Sequence, residues 1–137
     1  MAGKDKDRMV IKSCKVPIVP RYNETDQGSV VHHSNYPIYF EIGRTELLRQ
    51  NGTSYRQCEK AGVFYVVAEL NVKYRRPATY DDSLELETIC SKVTQVKLEH
   101  IYYLRRDGVL LVEGKTVLVC IDKDGKIQRI PEDMFSL

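Results

Sequence analysis

The sequence predicts an α+β domain in which a curved antiparallel sheet of about five strands wraps around one long helix. Two observations lead there. Residues 35–50 carry an apolar stripe at helical spacing, too wide for a helix with one face in water. After it, apolar residues alternate with a period of two almost to the end, punctuated by Asp-Gly turn signals.

The elements follow in order. Residues 1–12 read as a flexible, polar lead-in, and residues 13–137 as a single domain of ordinary size. Pro17 and Pro20 make residues 13–23 an edge strand or extended segment, because proline cannot donate to a central ladder. A polar loop runs from Glu24 to Ser34. In the helix, Tyr36, Phe40, Gly43 and Leu47 share one stripe, and Ile38, Tyr39 and Ile42 widen it. Ser34 or Asn35 caps its start, Pro37 fits its first turn, and Asn51-Gly52 stops it. Residues 53–60 add a short second helix closed by Gly62.

Val66, Ala68, Leu70, Val72 and Tyr74 mark the inner face of the next strand. Leu84 and Leu86 begin another, whose phase slips to Ile89 and Val93 and predicts a bulge near Thr88. Val96, Leu98, His100, Tyr102 and Leu104 form the inner face of the third. Asp107-Gly108 makes a hairpin turn into a long strand over 109–121, and Asp124-Gly125 precedes a short final strand near 126–130. The strand over 109–121 is apolar on both faces, which predicts self-association.

Composition excludes several classes. The 21 basic and 19 acidic residues leave a net charge of +2, unlike a dedicated nucleic-acid binder or polybasic anchor. No apolar run approaches the ~20 residues of a membrane span. The charged start leads into no signal-peptide core, so a cytoplasmic location is expected and Asn51-Gly52-Thr53 reads as a helix end, not a glycosylation site. Cys14, Cys58, Cys90 and Cys120 are far apart in sequence, which argues for small buried hydrophobes over a zinc or redox site. The three histidines lack metal-ligand spacing, so neither metal nor organic cofactor is expected. The run from Gly108 to Thr116 has one residue too many for a phosphate loop and lies inside a strand.

One segment resists a scaffolding role. Between Arg21 and Tyr36 the chain places Asp26, His32, His33 and two tyrosines directly before the buried helix. A helix start presents unpaired N–H groups and partial positive charge, suited to a developing oxyanion beside a carboxylate base or nucleophile. The plainer reading is a polar loop in which Asp26 caps a turn.

The run Tyr22-Asn23-Glu24-Thr25-Asp26, then Val30-Val31, His33-Ser34-Asn35-Tyr36, Tyr39-Phe40-Glu41 and Arg44-Thr45-Glu46, resembles the signature of the hotdog-fold acyl-CoA thioesterases. The likeness is to the 4-hydroxybenzoyl-CoA thioesterase and YbgC-type group, and it continues through Tyr74-Arg75-Arg76-Pro77-Ala78 and Asp81-Asp82. It implies the hotdog fold and hydrolysis of acyl-CoA or acyl-carrier-protein thioesters. It also implies a catalytic carboxylate at Asp26, a carbonyl-polarising backbone N–H at His33, and an activity-linked tyrosine at Tyr22. Asp26 would attack the carbonyl or activate a water; the sequence leaves both open. Two departures stand out: Ser29 replaces a usual glycine, and His32 replaces the tyrosine of YbgC-type relatives at a position expected to meet substrate.

On this reading Asn35 and Tyr36 hold the helix start against the substrate. Arg75 and Arg76, with Lys92 or Lys97 as helpers, bind the phosphates of coenzyme A or else form a solvated strand end. Assembly as a homodimer, or as a dimer of dimers giving a homotetramer, is expected. The rival functions are a non-catalytic acyl-CoA-binding module and a hotdog enoyl-CoA hydratase.

Overall fold

The computed structural model describes residues 12–132. The predicted lead-in therefore falls, but for Lys12, outside the described residues. Five strands form one antiparallel sheet: β1 (Ser13–Ile18), β2 (Phe64–Tyr74), β3 (Leu84–Val93), β4 (Lys97–Arg106) and β5 (Val109–Ile121). Their order across the sheet is β1-β3-β4-β5-β2, so β1 and β2 are the two edges. Helix α1 (Tyr36–Gln50) lies on one face, and a short helix α2 (Tyr55–Lys60) follows it. Single 3-10 turns at Tyr22–Glu24 and His33–Asn35 flank the polar loop.

Helix α1 buries one face, made of Tyr36, Tyr39, Phe40, Gly43, Leu47 and Leu48, against the sheet. Phe40 and Leu47 are fully buried, each worth roughly 1.5–3 kcal/mol of burial. The Phe40 ring stacks on Tyr102 of β4 with centroids 4.3 Å apart. Two glycines make this approach possible: a Cβ on Gly114 would collide with the Phe40 ring, and one on Gly43 with Thr88. The helix stops at Asn51, whose Nδ2 donates to the Leu47 carbonyl, followed by Gly52 at φ +91°. The β4–β5 hairpin turns on Asp107 and Gly108, both at positive φ, as the Asp-Gly signal predicts.

Five sequence expectations need correction. Ile38 and Ile42, expected to widen the buried stripe, are 50% and 43% exposed, so α1 does keep one face outward. The helix starts at Tyr36, with residues 33–35 in a 3-10 turn, and Asn35 makes no side-chain cap bond. The β3 irregularity falls between Cys90 and Lys92, not near Thr88. Thr88 is on the buried face, beneath Gly43, where no large apolar side chain fits. In β2 an irregularity between Val67 and Glu69 switches the inner face. Tyr65 and Val67 therefore face inward, opposite Cys120 and Leu118, and not Val66 and Ala68. Val66 and Val67 are both apolar, so period-two reading had no way to place that switch. Finally, residues 126–130 form no strand; only an isolated bridge joins Ile127 to Ile121.

Candidate active site

The polar loop is a small hairpin pinned to the helix start. Thr25 bridges Val31, and Val30 bridges Thr79 in the β2–β3 connection. Glu24 is its hub. The Glu24 carbonyl accepts from the His32 N–H at 2.9 Å and from Asn35 Nδ2 at 2.8 Å. Its Oε1 accepts from the Arg21 N–H and from the Tyr39 hydroxyl, each at 2.8 Å. Burial, then this bond to a carboxylate, hold the Tyr39 hydroxyl well above its ordinary pKa. Tyr39 thereby stays a donor.

Asp26 lies at the tip of this hairpin. Its N–H donates to the Val30 carbonyl at 2.8 Å, and Oδ1 accepts from the Gly28 N–H at 2.9 Å. One carboxylate oxygen thus caps the turn, as the plainer reading expects, while the residue itself is exposed. Closing so tight a loop puts Ser29 at φ +65°. That left-handed conformation is where glycine has no Cβ penalty.

His33 heads the 3-10 turn that leads into α1, ahead of the first ladder position. The neighbouring donors are already used: Ser34 N–H goes to His32 Nδ1 and Asn35 N–H to the His32 carbonyl. The His32 and His33 rings lie 4.2 Å apart and both residues are exposed. Tyr36 is buried, and its hydroxyl accepts from the Ala78 N–H at 3.4 Å. Burial raises its pKa.

The far end of β2 joins this corner. Tyr74 donates from its hydroxyl to the His33 carbonyl and packs edge-on against Tyr36. Arg75 and Arg76 follow it, both exposed. Arg75 Nη2 is engaged with Glu113 Oε1 at 2.7 Å. Lys97 pairs with Val119, at the other end of β5 from the Val112 that pairs with Tyr74, so it is not beside this arginine pair. Lys92, opposite Glu99, is at that same remote end. Tyr22 does not enter the cluster through its ring, which is 76% exposed and packs edge-on against Tyr80. Sequence reading missed Glu24, Tyr39 and Tyr74 as organisers of the site. Glu24 and Tyr39 stand inside the recognised motif, and Tyr74 directly precedes the arginine pair, yet only pairing across the fold assigns their partners.

Among the described residues no group of three or more His, Cys, Asp or Glu side chains could hold a metal ion. None of the described helices is long and apolar enough to cross a membrane.

Known proteins resemble this chain in sequence and fold. Residues 20–136 match the thioesterase-like superfamily, and the chain belongs to that family. It is 32% identical over 111 residues to a putative acyl-CoA thioesterase, YneP, of Bacillus subtilis, covering 80% of each chain. It is 33% identical over 110 residues to the acyl-CoA thioester hydrolase YbgC of Escherichia coli, covering 77% of this chain and 80% of that one. The crystal structure of a DHNA-CoA thioesterase from Staphylococcus aureus superposes with a TM-score of 0.83 at 31% identity, over 87% of this chain and 81% of that one. The fold is the hotdog fold, and the protein is a thioester hydrolase by family.

Proposed function

We propose that the protein hydrolyses acyl-CoA thioesters at the Asp26–His33 corner. The observation that carries this reading is the hairpin itself. It holds an exposed carboxylate, and hydrogen bonds through Glu24 fix it to the turn that starts α1. The thioester carbonyl oxygen points at the His33 N–H, where the helix start favours negative charge. Asp26 then attacks the carbonyl carbon, expelling the coenzyme A thiolate and leaving an anhydride that water cleaves to the free acid and Asp26. Alternatively, it takes a proton from a water that attacks directly as the thiolate leaves. Asn35 and Tyr36 set the helix start rather than touch the acyl group. His32 and His33 line the entrance, and Arg76, with Arg75 once released from Glu113, meets the phosphates of coenzyme A.

The edge of β2 supports a second part of the proposal. Val66, Val67 and Leu70 are each close to half exposed along a strand with one unpaired side. An open apolar edge of that length pairs with a second copy. A homodimer, with further pairing to a homotetramer, follows.

Release of free thiol from a panel of acyl-CoAs tests the chemistry, with Asp26→Asn as the decisive variant. Asparagine keeps an Oδ1 acceptor for the Gly28 N–H but loses the charge. Turnover is expected to fall by at least ~10²-fold while the melting temperature hardly moves. Full activity in Asp26→Asn, or tight binding without turnover in the parent protein, overturns the proposal.

A further inference from the structure

We infer that the polar interior beneath the middle of α1 is a recognition site for a carboxylate at the far end of the acyl chain. This rests on the thioesterase reading for its substrate but not for its test.

The starting point is an excess of buried polarity. Thr88, His100 and Thr116, on β3, β4 and β5, are almost wholly buried, as is the Tyr102 ring. The Tyr55 hydroxyl, Thr88 Oγ1 and both ring nitrogens of His100 have no hydrogen-bond partner. Each such orphan costs about 1–3 kcal/mol, so packing alone gives no reason to keep four together. The Arg44 side chain lies alongside, only 11% exposed. It donates to the Tyr102 hydroxyl, which is itself 2.7 Å from Thr116 Oγ1, and lies 3.7 Å from Glu41 Oε2. A guanidinium has five N–H donors, more than these two partners take up.

A cavity of about 420 Å³ adjoins this interior. Of the groups just described Arg44 and Tyr55 line it, while Thr88, His100 and Thr116 do not, and Tyr65 and Leu118 complete its apolar wall. Its arginines, Arg44, Arg49 and Arg56, outnumber its carboxylates, Glu41 and Glu59. Arg44 stands eleven residues beyond His33, about 16 Å along a helix axis. The inner face of β2 runs the same way. Tyr74 touches His33 at one end, Val72, Leu70 and Val67 follow, and Tyr65 reaches the cavity. Leu70 and Val67 are each 47% exposed, an uncovered apolar strip between the thioester corner and the cavity.

The chemistry of the two ends then selects the ligand. An apolar strip accepts methylenes. At its end a tyrosine hydroxyl and a guanidinium both offer protons, so the complement is an acceptor. A cation this deeply placed makes its strongest bonds to an anion, and a carboxylate matches its fork geometry. Glu41, 69% exposed, is free to yield its place to that carboxylate.

Calorimetric binding of two non-hydrolysable thioethers of coenzyme A tests this, one carrying a decyl chain and one the same chain ending in a carboxylate. The carboxylate probe is expected to bind at least tenfold more tightly. Tyr55→Phe should remove most of that preference while leaving decyl binding unchanged and the melting temperature the same or higher, since it deletes only an unpartnered hydroxyl. Arg44→Gln should abolish it; if that variant does not fold, Tyr55→Phe decides alone. Equal affinity for the two probes, no measurable binding of either, or a preference that survives Tyr55→Phe overturns the inference. Because neither probe can be hydrolysed, a failure of the thioesterase reading appears separately, as absent thiol release from acyl-CoAs.

Discussion

The Tyr39 hydroxyl donates to Glu24 Oε1 across 2.8 Å, joining the buried helix to the turn that carries the loop aspartate. The bond crosses from a residue 2% exposed to one in a surface loop, so helix and hairpin position each other. Glu24 is also the acceptor for Asn35, which doubles the tie.

Tyr39→Phe should therefore cost about 1.5–3 kcal/mol, the worth of a hydrogen bond to a carboxylate. Urea unfolding measures that loss. If the hairpin positions Asp26, kcat on the best acyl-CoA also falls several-fold with KM little changed. A variant with lower stability but unaltered kcat would show that the tie serves folding alone.

Ser29 at φ +65° predicts the opposite sign. A side chain in the left-handed region costs roughly 1–2 kcal/mol, partly offset by the greater unfolded-state freedom of glycine. Ser29→Gly is expected to raise stability by up to about 1 kcal/mol and to leave turnover intact. A lowered unfolding midpoint would mean that the serine side chain holds the loop.

His100 makes stability depend on pH. Burial, and secondarily the charge of Arg44, lower its pKa from 6.5 to about 3. The folded state thus binds fewer protons here than the unfolded chain, so this contribution is complete above about pH 6.5 and drains away as pH falls toward 3. His100→Met should flatten the acid side of a plot of urea midpoint against pH. It should also stabilise the protein near neutrality, because two orphaned ring nitrogens are removed. An unchanged acid limb would place the proton elsewhere.

The β2 edge predicts the assembly state. Sedimentation at micromolar concentration should show dimers or tetramers and no monomer, and a charge on the exposed edge strand, Val66→Lys, should shift the balance toward monomer. A parent protein that sediments cleanly as a monomer excludes pairing through this edge.

Residue pattern alone determined the helix, the five strands and the Asp107-Gly108 hairpin, because each rests on a period or a turn preference expressed within a few residues. The motif from Tyr22 to Tyr36, on which the proposed site rests, is likewise visible in the sequence, since its residues are neighbours in the chain. The tertiary structure decided what depends on partners from elsewhere. It chose the strand order, put Thr88 under Gly43, and turned Tyr65 and Val67 inward through the β2 irregularity. It also made Glu24 the hub of the loop and gathered Arg44, Tyr55 and His100 in one interior. A local pattern records which residues prefer burial; which polar atoms are buried together is set only when distant segments pack and exclude water.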